Sequence, residues 1–271
     1  MEGGGEGSTA CCGWHSTKAN GFRGQGTLGP KKEIPSRSAR KSDVNNMSTK
    51  HVQEVKVDQI TRLENRYGAD AWGISKHGIN PQKRPESETM DSYFDTKVQL
   101  RSVSSSNINE KTSSNHVPGE TAILATNIPG GYIKRTGTDS RKLGRYSWML
   151  LEGAIGHKTR VIQVYAIDNN NSKELGSTYQ QSLRYIQSSG IQSTPKDLLI
   201  NDLAKQLQTW QHQGDQLLTM ADCNGHILTG SFGKALTGGK WDLDVSEVSH
   251  RAWENRPPNT HIRGTRPIDG V

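Results

Sequence analysis

The sequence predicts an α/β sandwich, with hairpin-rich sheets carrying helices on their outer faces. Three observations carry this. Short apolar runs of strand length recur between turn signals, as at residues 121–126 and 217–221. Two runs, 145–151 and 159–165, are joined by a loop that reads as a hairpin. Two helices with clear start and stop signals then lead directly into the strand at 217–221.

In chain order, residues 1–46 are rich in Gly, Ser, Lys and Arg and show little periodicity, so a disordered or loop-rich basic tail is expected. The domain is expected over 47–271. From 50 to 67 the spacing of Val52, Val55, Gln59 and Leu63 predicts a helix, stopped by Gly68. Residues 69–75 read as a short buried strand. Residues 80–117 are polar and broken, and 93–100 fit helix and strand equally. The strand at 121–126 is followed by the turn signal Gly130-Gly131.

The helices are the best-punctuated elements. Ser177-Thr178-Tyr179-Gln180 is a capping-box pattern, and Tyr179, Leu183 and Ile186 mark one face up to Gly190. Thr194-Pro195 opens the second, with proline at the tolerated first position. Leu199, Leu203, Leu207 and Trp210 form its apolar stripe, and Gly214 ends it. After Gly225 the chain turns polar; 241–245 fit a brief strand, and the last residues look like the start of another.

Composition narrows the function. Hydrophobic residues make up 31% and aromatics 6%, so any core is thin and much of the length is loop. The net charge of +7 and a pI near 9.3 favour a polyanionic partner, nucleic acid before others. The three cysteines form neither a disulfide framework nor a paired zinc signature, and Cys11-Cys12 with His15 lacks the second ligand pair. No run of about 18 apolar residues occurs, so no membrane helix is expected. Neither is a signal peptide, and the expected setting is intracellular, the nucleus included.

The chemistry concentrates at Met220-Ala221-Asp222-Cys223-Asn224-Gly225. Side chains alternate along a strand, so Asp222 and Asn224 project together from its end. A carboxylate there can hold water or Mg²⁺, and an amide can bond a phosphate oxygen. An Asx turn closing an ordinary strand uses the same residues.

Val164-Tyr165, then Ala221-Asp222-Cys223-Asn224, then Ile268-Asp269, with Asn259-Thr260 before Arg263-Gly264, resembles in order and spacing the endonuclease/exonuclease/phosphatase superfamily, the DNase I-like fold. Residues 143–148 and the paired helices with Gln180-Gln181 resemble more narrowly the endonuclease domains of retrotransposon reverse-transcriptase proteins. The resemblance implies an α+β, four-layer α/β sandwich of two packed mixed sheets with outer helices, C-terminally truncated here. It also implies Mg²⁺-dependent hydrolysis of nucleic-acid phosphodiesters, DNA before RNA. In such a site Asp222 would activate water, Asn224 would hold the phosphate and Tyr165 would offer its hydroxyl. Asp269 would orient the histidine of a later Ser-Asp-His motif. Asn20, Arg145 and Thr260 are candidate phosphate or nucleic-acid contacts, with an ion-paired or solvated Arg145 as the alternative.

Two departures follow. Lys76 stands where the family has its metal-binding glutamate, and a cation there repels Mg²⁺; at about 4 Å and an effective dielectric of about 20, unit charges interact by roughly 4 kcal/mol. The Ser-Asp-His segment is expected beyond Val271, and neither His77 nor His261 matches its histidine. A degenerate or inactive copy is therefore expected. The alternatives are a non-catalytic nucleic-acid-binding remnant of the same fold and a phosphatase acting on a small phosphoester.

Overall fold

A computed structural model describes residue 62 and residues 69–83, 101–109, 117–126, 128–167, 176–226, 229–241 and 243, together with the backbone at 11–14 and 269–270. The strands are β1 (Cys11–Trp14), β2 (Ala71–Ser75), β3 (Arg101–Ser105), β4 (Thr121–Ala125), β5 (Ile133–Thr138), β6 (Tyr146–Glu152) and β7 (Lys158–Tyr165). Helices α1 (Thr178–Ser188) and α2 (Pro195–His212) lead to β8 (Gln216–Asp222), and α3 (Ser231–Thr237) and β9 (Asp269–Gly270) complete the order.

Two sheets pack face to face beneath a helical layer, giving the α+β sandwich the sequence implies. One sheet has the order β1-β2-β4-β3 and its described pairs are all antiparallel. The other, β5-β6-β7-β8-β9, is mixed: β7 and β8 run parallel, as the α1–α2 crossover between them requires. Val103, Ile123, Met149, Val161 and Met220 fill the space between the sheets. On the far face of the mixed sheet, Ile162, Val164 and Ala221 meet Leu199, Leu203, Leu207 and Trp210 of α2. Each such leucine, fully buried, contributes about 2 kcal/mol against exposure.

The local signals hold where they were strongest. Ser177 Oγ accepts the Gln180 N–H at 3.3 Å, and Thr194 Oγ1 accepts the Asp197 N–H at 3.1 Å. Gly190 and Gly214 take the left-handed conformations (φ 65° and 79°) that end α1 and α2. Other expectations need correction. Residues 11–14 are not loop; they pair antiparallel with β2. Trp241 and Leu243 carry no strand. Strands β3 and β5 and helix α3 had no expectation attached. The helix expected at 50–67, apart from residue 62, and the segment 93–100 fall outside the described residues.

Two glycines set close approaches. At Gly73 a Cβ would lie 1.8 Å from Gln163 Oε1, so the bare backbone lets Gln163 cross between the sheets and donate to Ser75 Oγ at 2.8 Å. At Gly137 a Cβ would lie 2.4 Å from Trp148 Cζ2. That indole cannot yield: the Arg160 guanidinium sits 4.5 Å from its centroid and 4.3 Å from Trp210, and Arg160 is itself held by Asp215 at 2.6 Å. Gly137→Ala is therefore expected to cost about 1–3 kcal/mol by overpacking. Urea denaturation checks this, with Gly131→Ala, where the added methyl meets nothing within 4 Å, as the near-neutral control.

Candidate active site

Period-two alternation turns Gln163 and Tyr165 of β7, and Met220 and Asp222 of β8, toward the opposing sheet. The parallel register sets Tyr165 beside Asp222, and β9 brings the Asp269 backbone opposite Asp222 on the other side. Residues far apart in the chain thus meet at one end of the mixed sheet.

Across the gap stands Lys76, the residue after β2. Its Nζ lies 3.5 Å from Asp222 Oδ2 and 4.9 Å from the Tyr165 ring centroid. The Asp222 side chain is 3% exposed and that of Lys76 20%, so the pair closes the mouth and keeps one side to solvent. Burial alone would lower the Lys76 ammonium; Asp222 and Tyr165 more than offset this and hold it above the ordinary lysine value. Lys76 is a bound cation at every physiological pH.

The backbone holds it there. Lys76 has φ 59°, a left-handed conformation that costs a non-glycine residue about 1 kcal/mol or more. Its N–H donates to Glu120 O at 2.6 Å. Behind it, buried His77 places Nδ1 3.0 Å from Glu120 Oε2, and the Ile79 N–H donates to the same nitrogen at 3.2 Å. Glu120, His77, Gln163 and Ser75 support the site, and the sequence marked none of them. The available signal was a charged residue set directly before an all-buried strand, at Glu120-Thr121.

Asn224 is beside Asp222 but also φ 44° and turned back. Its N–H donates to Asp222 Oδ1 at 3.2 Å, closing an Asx turn, and its side-chain N–H donates to Ala166 O at 2.6 Å. One of its two amide protons is thus used in tying the ends of β7 and β8 together.

Arg145 is not a phosphate contact. It is 0% exposed, with Nε 2.5 Å and Nη2 2.8 Å from the two oxygens of Asp139, and Nη2 2.9 Å from Asp202. A fully desolvated guanidinium forked onto a carboxylate cannot reach a ligand. Its carbonyl instead accepts the Tyr165 N–H at 2.9 Å, so it anchors the strand end that carries the site. Asn20 and Thr260 lie outside the described residues, as does His261.

The donor set among the described residues does not fit Mg²⁺. The ammonium of Lys76 occupies the carboxylate that a divalent ion would use, and among the described residues no group of three or more His, Cys, Asp or Glu converges. An ammonium beside a phenol and a carboxylate offers a different chemistry: a fixed positive charge with a phenolic ring next to it.

No protein-family model matches the chain, and no curated protein matches it in sequence. Among solved structures, the human Nocturnin catalytic domain with bound sulfate anion is similar at 13% identity, over 80% of this chain and 73% of that one, with a TM-score of 0.49. So distant a likeness says nothing about activity. Among the described residues, no helix is long and apolar enough to cross a membrane.

Proposed function

We propose that this chain is a mobile-element-type endonuclease/exonuclease/phosphatase domain that has become degenerate at its metal position and engages nucleic-acid phosphates without cutting them. The observation that carries the reading is the Lys76–Asp222 ion pair beside Tyr165 at the end of the mixed sheet. A lysine in the metal's place supplies charge to a phosphate oxygen but no metal-type activated water, because an ammonium has no vacant orbital to accept a water's lone pair and so cannot ligate and acidify it. Asp222, held by that ammonium, is a weakened base for water. The net charge of +7 supports a polyanionic partner, with DNA placed before RNA.

The test uses supercoiled plasmid and labelled duplex DNA with the purified chain. Binding is expected to weaken with salt, by roughly a hundredfold per fourfold rise for about four phosphate contacts, and to be indifferent to EDTA. No nicking is expected with Mg²⁺ present. Mg²⁺-dependent nicking that Asp222→Ala abolishes would overturn the non-cleaving reading and restore the active endonuclease.

A further inference from the structure

Behind the end of β8, on the face away from Asp222, lies a polar cavity of about 240 Å³. Its floor is Cys223 and Phe232, both buried in the core shared with α2, which puts the strand itself between this cavity and Lys76. Its polar side chains are Lys196 of α2, His226 and Thr229 of the segment leaving β8, and Ser231 opening α3. Every one of them is a donor, and no carboxylate lines the cavity. Asp197, the acid nearest in sequence to Lys196, is turned to the Thr194 hydroxyl at 2.7 Å.

The turn is built around the imidazole. His226 Nδ1 accepts the Thr229 N–H at 3.3 Å, and His226 O accepts the Gly230 N–H at 2.7 Å. With Nδ1 an acceptor, Nε2 is the ring nitrogen that can donate. The volume is below the roughly 300–1,000 Å³ of pockets that enclose a whole drug-sized ligand, so it suits one charged group and a little apolar surface.

We infer that this cavity is a phosphate-binding subsite: Lys196 pairs with the anion, His226, Thr229 and Ser231 donate to its oxygens, and Phe232 meets the attached sugar. The phosphate comes from a nucleic-acid strand or from free phosphate; the chemistry is the same. The inference does not depend on the reading of Lys76 and Asp222.

Calorimetric titration of the 271-residue chain with inorganic phosphate and, separately, with a 5′-phosphorylated dinucleotide tests it. Binding in the cavity is expected to shift the His226 ring resonances. Lys196→Gln is expected to weaken binding roughly tenfold or more, with Lys196→Arg retaining most of it. Tighter binding of the dinucleotide assigns the subsite to a strand; equal binding assigns it to free phosphate. The inference is overturned if a natively folded chain binds neither, or if binding responds to Lys76→Gln and not to Lys196→Gln.

Discussion

Arg145→Ala is expected to destabilise the fold by roughly 3–5 kcal/mol, the largest effect of any single truncation named here. The guanidinium is wholly buried with Asp139, itself 1% exposed. Burial alone would lower its affinity for protons; the fork onto Asp139 and the contact with Asp202 reverse that and hold it above the usual arginine range. Asp139 also accepts the N–H groups of Arg141 at 2.9 Å and Leu143 at 3.3 Å, and Arg141 reaches Asp202 at 2.7 Å. Removing the Arg145 side chain strands a buried carboxylate amid this network, at a residue whose retained backbone carbonyl holds the Tyr165 N–H. The cost is that of an uncompensated buried charge, not of one lost contact. Urea denaturation reads it directly, and Arg145→Lys, a point charge without the fork, should fall between alanine and wild type. A loss under about 1 kcal/mol for the alanine variant would mean the network is not the clamp described. DNA binding by either variant should follow the fraction folded, since Arg145 meets no ligand.

Lys76→Glu is expected to convert an attraction at Asp222 into a repulsion and to lower stability by about 2 kcal/mol without metal, the partial exposure of the lysine tempering the effect. Added Mg²⁺ should then raise the variant's melting temperature and leave the wild type unmoved, because a ligand stabilises only the state that binds it. The pH dependence has a definite sign. The Lys76 pKa is raised above 10.5 in the folded chain, so its contribution is fully present below 10.5 and is lost as pH rises through the folded value. The stability gap between wild type and Lys76→Gln should therefore hold from neutral pH to about 10 and close in stronger alkali. A gap that closed near neutrality would mean the ammonium is not held by Asp222.

What could be read from the sequence was what local physics determines. The caps at Ser177 and Thr194 and the stripe from Leu199 to Trp210 need only neighbours along the chain, whereas the period-two pairing of Asp222 with Asn224 failed because Asn224 leaves the strand in a left-handed turn. Strand β5, Ile-Lys-Arg-Thr-Gly-Thr, is an exposed edge with no apolar alternation, and it forms because β6 offers a partner and Gly137 clears Trp148. Helix α3 starts at Gly230 without a side-chain cap and is fixed by Phe232 and Leu236 in the core. The site divides the same way. Lys76 was visible as a cation where a ligand was expected, but its pairing with Asp222 depends on a left-handed turn pinned by Glu120, 44 residues away in the chain. Arg145 shows the converse: a basic residue in a basic chain suggests phosphate, and only the convergence of Asp139 and Asp202 shows it to be internal.

The claim beneath all of this is that Lys76 is the resident cation of the Asp222 site. Calorimetric titration of Mg²⁺ into the wild-type chain and into Asp222→Asn addresses it without any substrate. The two titrations should be indistinguishable, with no heat that depends on Asp222. One equivalent of Mg²⁺ bound by the wild type and lost in Asp222→Asn would show that the metal displaces the lysine, and the account would be wrong at its centre.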